Sequence, residues 1–116
     1  MSSLNDFING VMKAYFEPMD PNVLLDQMHK WQRADVACHA GGNLAQALAR
    51  ITAKTFVMPI SHDQFFPPHE CEADCKLIAN ASLRVIQSPE GHMGQNGFEP
   101  EYMRQVDQFL RELLNS

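Results

Sequence analysis

Apolar residues recur every three or four positions along the first third of the chain, and this spacing predicts two helices. Ser3 or Asn5 is predicted to cap the first helix, and Pro18 to end it. Asp20-Pro21 predicts the start of the second helix, because proline is tolerated in a first helical turn. The apolar positions of the two helices are Leu4, Phe7, Ile8, Val11, Met12, Tyr15 and Phe16, then Leu24, Leu25, Met28 and Trp31.

The next segment, Asp35 to Gly42, lacks this spacing and is predicted to be a loop. Asn43 follows it and is a residue type that commonly caps helices. Leu44, Ala47 and Leu48 then return to helical spacing. A short helix capped by Asn43 is therefore expected.

The second half of the chain has a different pattern. Lys54 to Ile60 is a continuous apolar run rich in β-forming residues, which predicts a strand buried on both faces. Ser82 to Gln87 predicts a second strand, and helical spacing recurs at His69 to Asn80 and at Glu99 to Asn115. Loops are expected at 61–68 and 88–97. This order predicts an α/β fold with two parallel strands joined by a right-handed crossover.

A sheet of only two parallel strands is incomplete, because parallel sheets are normally covered on both faces and have more strands. The second half is therefore predicted to be the edge of a larger doubly wound sheet. Two explanations stay open: the chain is a fragment of a longer protein, or it completes its sheet with another molecule.

Composition and charge argue against two classes of function, nucleic-acid binding and membrane insertion. The chain has 116 residues, with 9 basic against 14 acidic side chains and a formal charge of −5. Nucleic-acid binding is not expected, because phosphate contacts need a basic face. The longest apolar run is far shorter than the roughly 20 residues of a membrane span. The first residues, Met1 to Asp6, lack the features of a secretory signal, so a cytoplasmic protein is expected.

The three cysteines do not indicate a disulfide framework. Cys71 and Cys75 lie one helical turn apart with His69 nearby, and thiolates in such a group could bind a metal. The spacing lacks the usual C-x₂-C pair. Buried cysteines on a helix that faces the sheet are the favoured interpretation.

Candidate chemistry lies in the loops that follow the two strands. In open parallel sheets, functional residues follow the carboxyl ends of the strands. Asp63 follows the first strand and His92 the second, so a carboxylate could hold the Nδ1–H of an imidazole and leave Nε2 as a base. The alternative is an aspartate that caps the next helix and an ordinary surface histidine.

Three motifs in order carry a resemblance to a known family. Residues 43–57 read N-L-A-Q-A-L-A-R-I-T-A-K-T-F-V, residues 63–67 read D-Q-F-F-P, and Gly91-His92 follows. This pattern resembles the C-terminal part of the homoserine O-acetyltransferase branch of the α/β-hydrolase superfamily, whose members carry D-L-x-x-A-L-x-x-I-x-A-K-T-x-V, D-x-x-F-P and G-H. Residues 19–22 and 31–35 also resemble the cap of that branch and the segment leaving it.

The resemblance implies specific roles. Asp63 would be the acid and His92 the base of a serine-dependent catalytic triad, with residues 1–34 a cap-like helical segment and residues 35–116 the C-terminal part of the α/β-hydrolase core. No metal or bound organic cofactor is implied, and acetyl-CoA would be a substrate of an acetyltransferase. The expected partners are a small-molecule ester or acyl substrate, and either another copy of the chain or the missing part of the sheet.

Two departures from the family pattern affect the expected activity. The acetyltransferases have an acidic residue after the histidine, where this chain has Met93. The sequence also contains no Gly-x-Ser-x-Gly, the motif that carries the nucleophile. We therefore expect the chain to be a fragment of a serine-dependent acyltransferase or hydrolase that supplies the acid and the histidine but is inactive alone. The alternative is a non-catalytic remnant that acts as an oligomeric binding protein.

Overall fold

The structure is a computed structural model that describes residues 3–115. The chain divides into two compact units, one extending to Asp35 and the other beginning at Val36. Within the described residues, no helix is long and apolar enough to cross a lipid bilayer.

The first unit consists of the two helical segments that the apolar spacing predicts. The first comprises α1 (Leu4–Phe7), a π-helical turn (Ile8–Met12) and α2 (Lys13–Phe16). The second is α3 (Pro21–Arg33). The Ser3 side chain caps α1 by accepting a hydrogen bond from the Asp6 N–H at 3.1 Å. The predicted helices and the Ser3 cap are therefore confirmed, whereas the π-helical turn was not predicted.

The second unit alternates helices and strands. Its elements are a 3₁₀ helix (Val36–Ala40), α4 (Leu44–Leu48), β1 (Thr55–Val57), α5 (Pro68–Cys75), β2 (Ala81–Leu83), a second 3₁₀ helix (Gly91–Asn96) and α6 (Pro100–Leu114). Asn43 caps α4 as predicted, its Oδ1 accepting the Gln46 N–H at 2.9 Å. The two segments predicted to be loops, 35–42 and 88–97, instead each contain a 3₁₀ helix.

β1 and β2 pair in parallel, with Thr55 opposite Ala81 and Val57 opposite Leu83. The predicted α/β fold class with two parallel strands is confirmed. Both strands are shorter than predicted because the ladder is interrupted before Pro59, which has no N–H to donate. Pairing resumes at a single parallel bridge between Ile60 and Ile86.

The strands are also less buried than predicted. All six strand residues are half-buried, so the expectation of a strand covered on both faces is wrong. Burial is instead deepest at the bridge, where Ile86 is 1% and Ile60 5% exposed. On the strands, the Arg84 guanidinium covers the Phe56 ring at 4.5 Å and pairs with Glu112 at 2.6 Å. The best-packed part of the second unit therefore lies directly beneath the loops that follow the strands.

A buried glutamine fixes α6 against the end of β2. The Gln105 Oε1 accepts the Gln87 N–H at 2.8 Å, and its Nε2 donates to the Gln87 carbonyl at 2.9 Å. The side-chain amide thus satisfies both backbone groups of Gln87, as a neighbouring strand would. Gln105 is 8% exposed, so its polar atoms depend on these partners.

Replacement of this amide is expected to destabilise the chain. Gln105→Leu removes both hydrogen bonds to Gln87 and should lower the free energy of unfolding by about 1–3 kcal/mol. Urea unfolding followed by circular dichroism measures the change. Gln108→Leu, which alters an exposed glutamine on the same helix, is the matched control and should leave the unfolding midpoint nearly unchanged. Equal midpoints for the two variants would contradict the assigned role of Gln105.

Candidate active site

The two loops that carry Asp63 and His92 leave the sheet side by side. The Ile60–Ile86 bridge aligns their first residues, and the Ser61 N–H donates to the Ile86 carbonyl at 2.9 Å. Because the strands are parallel, both loops emerge at the same edge. The structure therefore brings together two residues that are 29 positions apart in the sequence.

The Asp63 carboxylate is buried and uses its two oxygens for different purposes. Oδ1 accepts the backbone N–H groups of Phe65 and Phe66 at 2.7 and 3.0 Å, which closes a tight turn. Oδ2 faces the His92 Nδ1 at 3.0 Å. The two sequence interpretations are thus partly combined: Asp63 caps a turn, although not helix α5 itself, and also contacts the histidine.

His92 lies in the second 3₁₀ helix with its side chain 28% exposed. Since the Asp63 carboxylate accepts a hydrogen bond from Nδ1, the neutral ring carries its proton there and keeps a lone pair on Nε2. The rings of Phe65 and Phe66 lie 4.6 and 5.7 Å from the imidazole centroid. These contacts orient the ring and cover part of it.

The pKa of Asp63 is lowered from its ordinary value. Burial raises it, but the hydrogen bonds from His92, Phe66 and Phe65 outweigh burial because they stabilise the charged form. Asp63 is therefore a carboxylate at neutral pH, as a group that orients an imidazole must be.

A residue that the sequence analysis did not identify lies at the other nitrogen of the ring. The Gln95 Nε2 is 2.9 Å from the His92 Nε2. Positions three apart coincide on a 3₁₀ helix, which places Gln95 on the same side as His92. No apolar periodicity marks residues 91–96, and the glycines at 91, 94 and 97 made the segment resemble a loop.

Two serines, also absent from the sequence predictions, join the loops at their bases. The Ser61 Oγ accepts the Ser88 N–H and donates to the Ser88 carbonyl, both at 3.2 Å. The Ser88 Oγ in turn donates to the Glu99 carboxylate at 2.6 Å. The His62 ring, which adjoins the acid, hydrogen-bonds the Ser88 carbonyl at 3.0 Å through Nδ1. This Ser61–Ser88 pair holds the acid loop and the histidine loop together.

Only glycine fits at position 91, directly before the histidine. Gly91 has a φ of +55°, and a Cβ there would lie 2.6 Å from the His62 carbonyl oxygen. Any other residue would combine backbone strain with a collision between the two loops.

Two cavities flank the acid–histidine pair, each of about 280 Å³. One is lined by His92, Phe65, Met93 and the 89–91 turn, among others. The other contains Asp63, Phe66, Gln95 and Tyr102. Both cavities are lined mainly by apolar atoms, and the one that His92 lines could hold a small organic molecule next to the imidazole.

The cysteines lie outside this constellation. Cys75 is buried, and the half-buried Cys71 donates its S–H to the Phe66 carbonyl at 3.7 Å. Burial and the neighbouring carboxylate of Asp74 raise the pKa of the Cys71 thiol, which disfavours the thiolate that a metal would need. No group of three or more potential metal ligands occurs within residues 3–115.

Comparison with known proteins extends over nearly the whole chain. It is 52% identical over 114 residues to an ethyl acetate hydrolase of Pseudomonas veronii, covering 98% of the chain and 33% of that protein. It is 48% identical over 115 residues to a protein named as a probable esterase of Corynebacterium glutamicum, covering 99% of the chain and 32% of that relative. A more distant similarity, 39% over 74 residues, links it to a homoserine O-acetyltransferase of Thermobifida fusca. No protein-family model matches the chain.

Comparison of the fold with solved structures also identifies an esterase as similar. The structure of the acetyl esterase MekB superimposes with a TM-score of 0.90 at 51% identity, covering all of this chain and 34% of the esterase. The chain thus spans about a third of the length of the Pseudomonas veronii and Corynebacterium glutamicum relatives. Its sequence and its fold match part of these esterases, which is consistent with the α/β-hydrolase superfamily.

Replacement of the glycine before the histidine tests how tightly the loops are packed. Gly91→Ala should destabilise the chain by about 1–3 kcal/mol and broaden or shift the NMR signals of His92, because the two loops must separate. Gly10→Ala is the control, since a Cβ at Gly10 meets nothing within 4 Å. Unchanged stability and unchanged His92 signals in Gly91→Ala would show that the loops are not closely packed.

The lowered pKa of Asp63 predicts a pH dependence of stability. A carboxylate whose pKa is lower in the folded chain stabilises the fold above its unfolded pKa, and this contribution is lost as the pH falls through the folded pKa. Urea unfolding between about pH 5 and pH 2 should therefore show a steeper loss of stability for the parent chain than for Asp63→Asn. Parallel curves would contradict the assignment. Asp26→Asn controls for the loss of one exposed charge.

Proposed function

We propose that the chain supplies the acid and the base of a serine-dependent esterase, with Asp63 as the acid and His92 as the base. The observation that carries the proposal is the contact at 3.0 Å between the buried Asp63 carboxylate and the His92 Nδ1. The Nε2 of the same ring points away from this carboxylate. The similarity to an ethyl acetate hydrolase and to the acetyl esterase MekB supports the reaction class. Asp63 and His92 match the family motifs D-x-x-F-P and G-H by position.

The proposed chemistry requires a hydroxyl from outside this sequence, which has no Gly-x-Ser-x-Gly. The hydroxyl oxygen attacks the ester carbonyl carbon while the His92 Nε2 takes its proton. The imidazolium then returns that proton to the departing alcohol, leaving an acyl-enzyme. Water attacks the acyl-enzyme with the same base, releasing the carboxylic acid. Asp63 stays ionised throughout and stabilises the imidazolium.

The substrate that we propose is a small acetate ester. The relatives' names concern ethyl acetate and acetyl esters, and the cavity beside His92 is small and lined in part by Phe65 and Met93. The formal charge of −5 argues against nucleic acid as a partner. The partner that we propose is the polypeptide that completes the sheet beside β1 and β2 and carries the nucleophile. Pairing between copies of the chain is the alternative, which size-exclusion chromatography would detect.

Acyl transfer to a hydroxyl acceptor such as homoserine is a second candidate. It is favoured by the 39% identity to a homoserine O-acetyltransferase and by the A-K-T-F-V segment at residues 53–57. Met93 takes the place of the acidic residue that follows the histidine in that family, and this favours hydrolysis. The two candidates differ in whether water or an alcohol accepts the acyl group.

A chimera tests the proposal directly. The chain replaces the matching third of the Pseudomonas veronii hydrolase. Two reactions are then measured, hydrolysis of ethyl acetate and transfer of the acetyl group from acetyl-CoA to homoserine. The chimera should hydrolyse the ester, whereas the chain alone should not exceed the buffer rate. His92→Ala and Asp63→Asn should each lower kcat by about 10⁴-fold.

The control is His69→Ala, which removes an exposed histidine on α5 and should retain full activity. Circular dichroism checks that each chimera is folded. A folded chimera that keeps its activity after His92→Ala would overturn the proposed role of His92. Transfer to homoserine in preference to hydrolysis would favour the second candidate.

A further inference from the structure

The imidazole of His92 is held at both of its nitrogens. Asp63 contacts Nδ1 at 3.0 Å, and the Gln95 side-chain nitrogen lies 2.9 Å from Nε2. The Phe65 ring packs on the imidazole at 4.6 Å. The acid determines which nitrogen carries the proton, but it contacts only one side of the ring. The second polar contact comes from Gln95.

The backbone of the 3₁₀ helix determines the position of the Gln95 side chain relative to His92. Gln95 and His92 are three residues apart in the 3₁₀ helix Gly91–Asn96, so their side chains share one side of it. Gly94 allows this helix to pack closely against Ser88, since a Cβ there would lie 3.2 Å from the Ser88 Oγ. The helix ends at Gly97 in the left-handed conformation, with a φ of +73°. The position of Gln95 therefore depends on the same packing that positions His92.

We propose that Gln95 is a positioning residue that holds the Nε2 side of His92 in both protonation states of the ring. A primary amide can do this because it has a donor and an acceptor at similar positions. Its NH₂ donates to the lone pair of the neutral imidazole, as the structure shows. After rotation by half a turn, its oxygen accepts from the Nε2–H of the imidazolium. A carboxylate could serve only the protonated ring, and a hydrocarbon neither form.

The inference rests on the proposed role of His92 as a base and adds one requirement to it. A hydroxyl nucleophile must approach the same nitrogen that Gln95 now contacts, so the amide must give way when the nucleophile is present. Gln95 is exposed and lines the cavity that also contains Asp63 and Tyr102, which gives the amide space to move. Gln95 would then orient the ring whenever the hydroxyl is not hydrogen-bonded to Nε2.

The test uses the isolated chain, labelled with ¹⁵N, and needs no enzymatic activity. The ionisable groups that face His92 are Asp63 on Nδ1 and, in the cavity beside the ring, His62 and Glu90. At about pH 8, the parent chain should show a scalar coupling through the hydrogen bond between the Gln95 amide and the His92 Nε2. Gln95→Leu should abolish the coupling and shift the Nε2 resonance.

Gln95→Glu provides the opposite change at the same position. Because a carboxylate can only accept, it should raise the ratio of imidazolium to neutral His92 about tenfold at a fixed pH near neutrality. Gln108→Leu is the matched control, because it removes an exposed glutamine from α6, and it should change neither observable. Circular dichroism establishes that all three variants are folded.

Two results would overturn the proposal. One is an Nε2 resonance that stays the same in Gln95→Leu as in the parent chain. The other is a protonation ratio in a folded Gln95→Glu that stays within about twofold of the parent value. Both are distinguishable from failure of the proposed esterase function, which would appear only as an inactive chimera with normal His92 signals in the isolated chain.

Discussion

Parallel pairing of β1 and β2 is the constraint on which the candidate site depends. Two parallel strands direct their following loops to the same edge of the sheet, so residues far apart in sequence meet there. The Ile60–Ile86 bridge, which is the most buried part of the sheet, ends the pairing directly beneath the site. The most buried part of the sheet is therefore adjacent to the acid and the histidine.

The burial of Asp63 shows how a charge is kept in this position. An isolated buried carboxylate would be protonated or would destabilise the fold. Here two backbone N–H groups and the imidazole share the two oxygens of Asp63, and together they lower its pKa despite the burial. The same contacts orient His92 and close the turn that leads to α5. One buried carboxylate thus connects the local structure of the loop to the chemistry that we propose.

The sheet that supports the site has only two short strands within the described residues. Its strand residues are half-buried, and a guanidinium, Arg84, covers one of its aromatic rings. Such a small sheet is expected of a chain that spans about a third of the length of its esterase relatives. The acid–histidine pair is nevertheless complete, because every contact that forms it lies between residues 60 and 99.

The amino-acid sequence was enough to predict the features that depend on neighbouring residues or on hydrophobic spacing. These are the helices, the caps at Ser3 and Asn43, the two parallel strands, and the placement of Asp63 and His92 in adjacent loops. The strand lengths, the 3₁₀ helix that contains His92, and the contacts of Gln95, Gln105 and the Ser61–Ser88 pair became known from the folded chain alone. Most of these features rest on hydrogen bonds between distant segments, and the 3₁₀ helix is held by packing against Ser88. Polar side chains such as these have no periodic signal, so their partners are fixed only when the strands and helices pack.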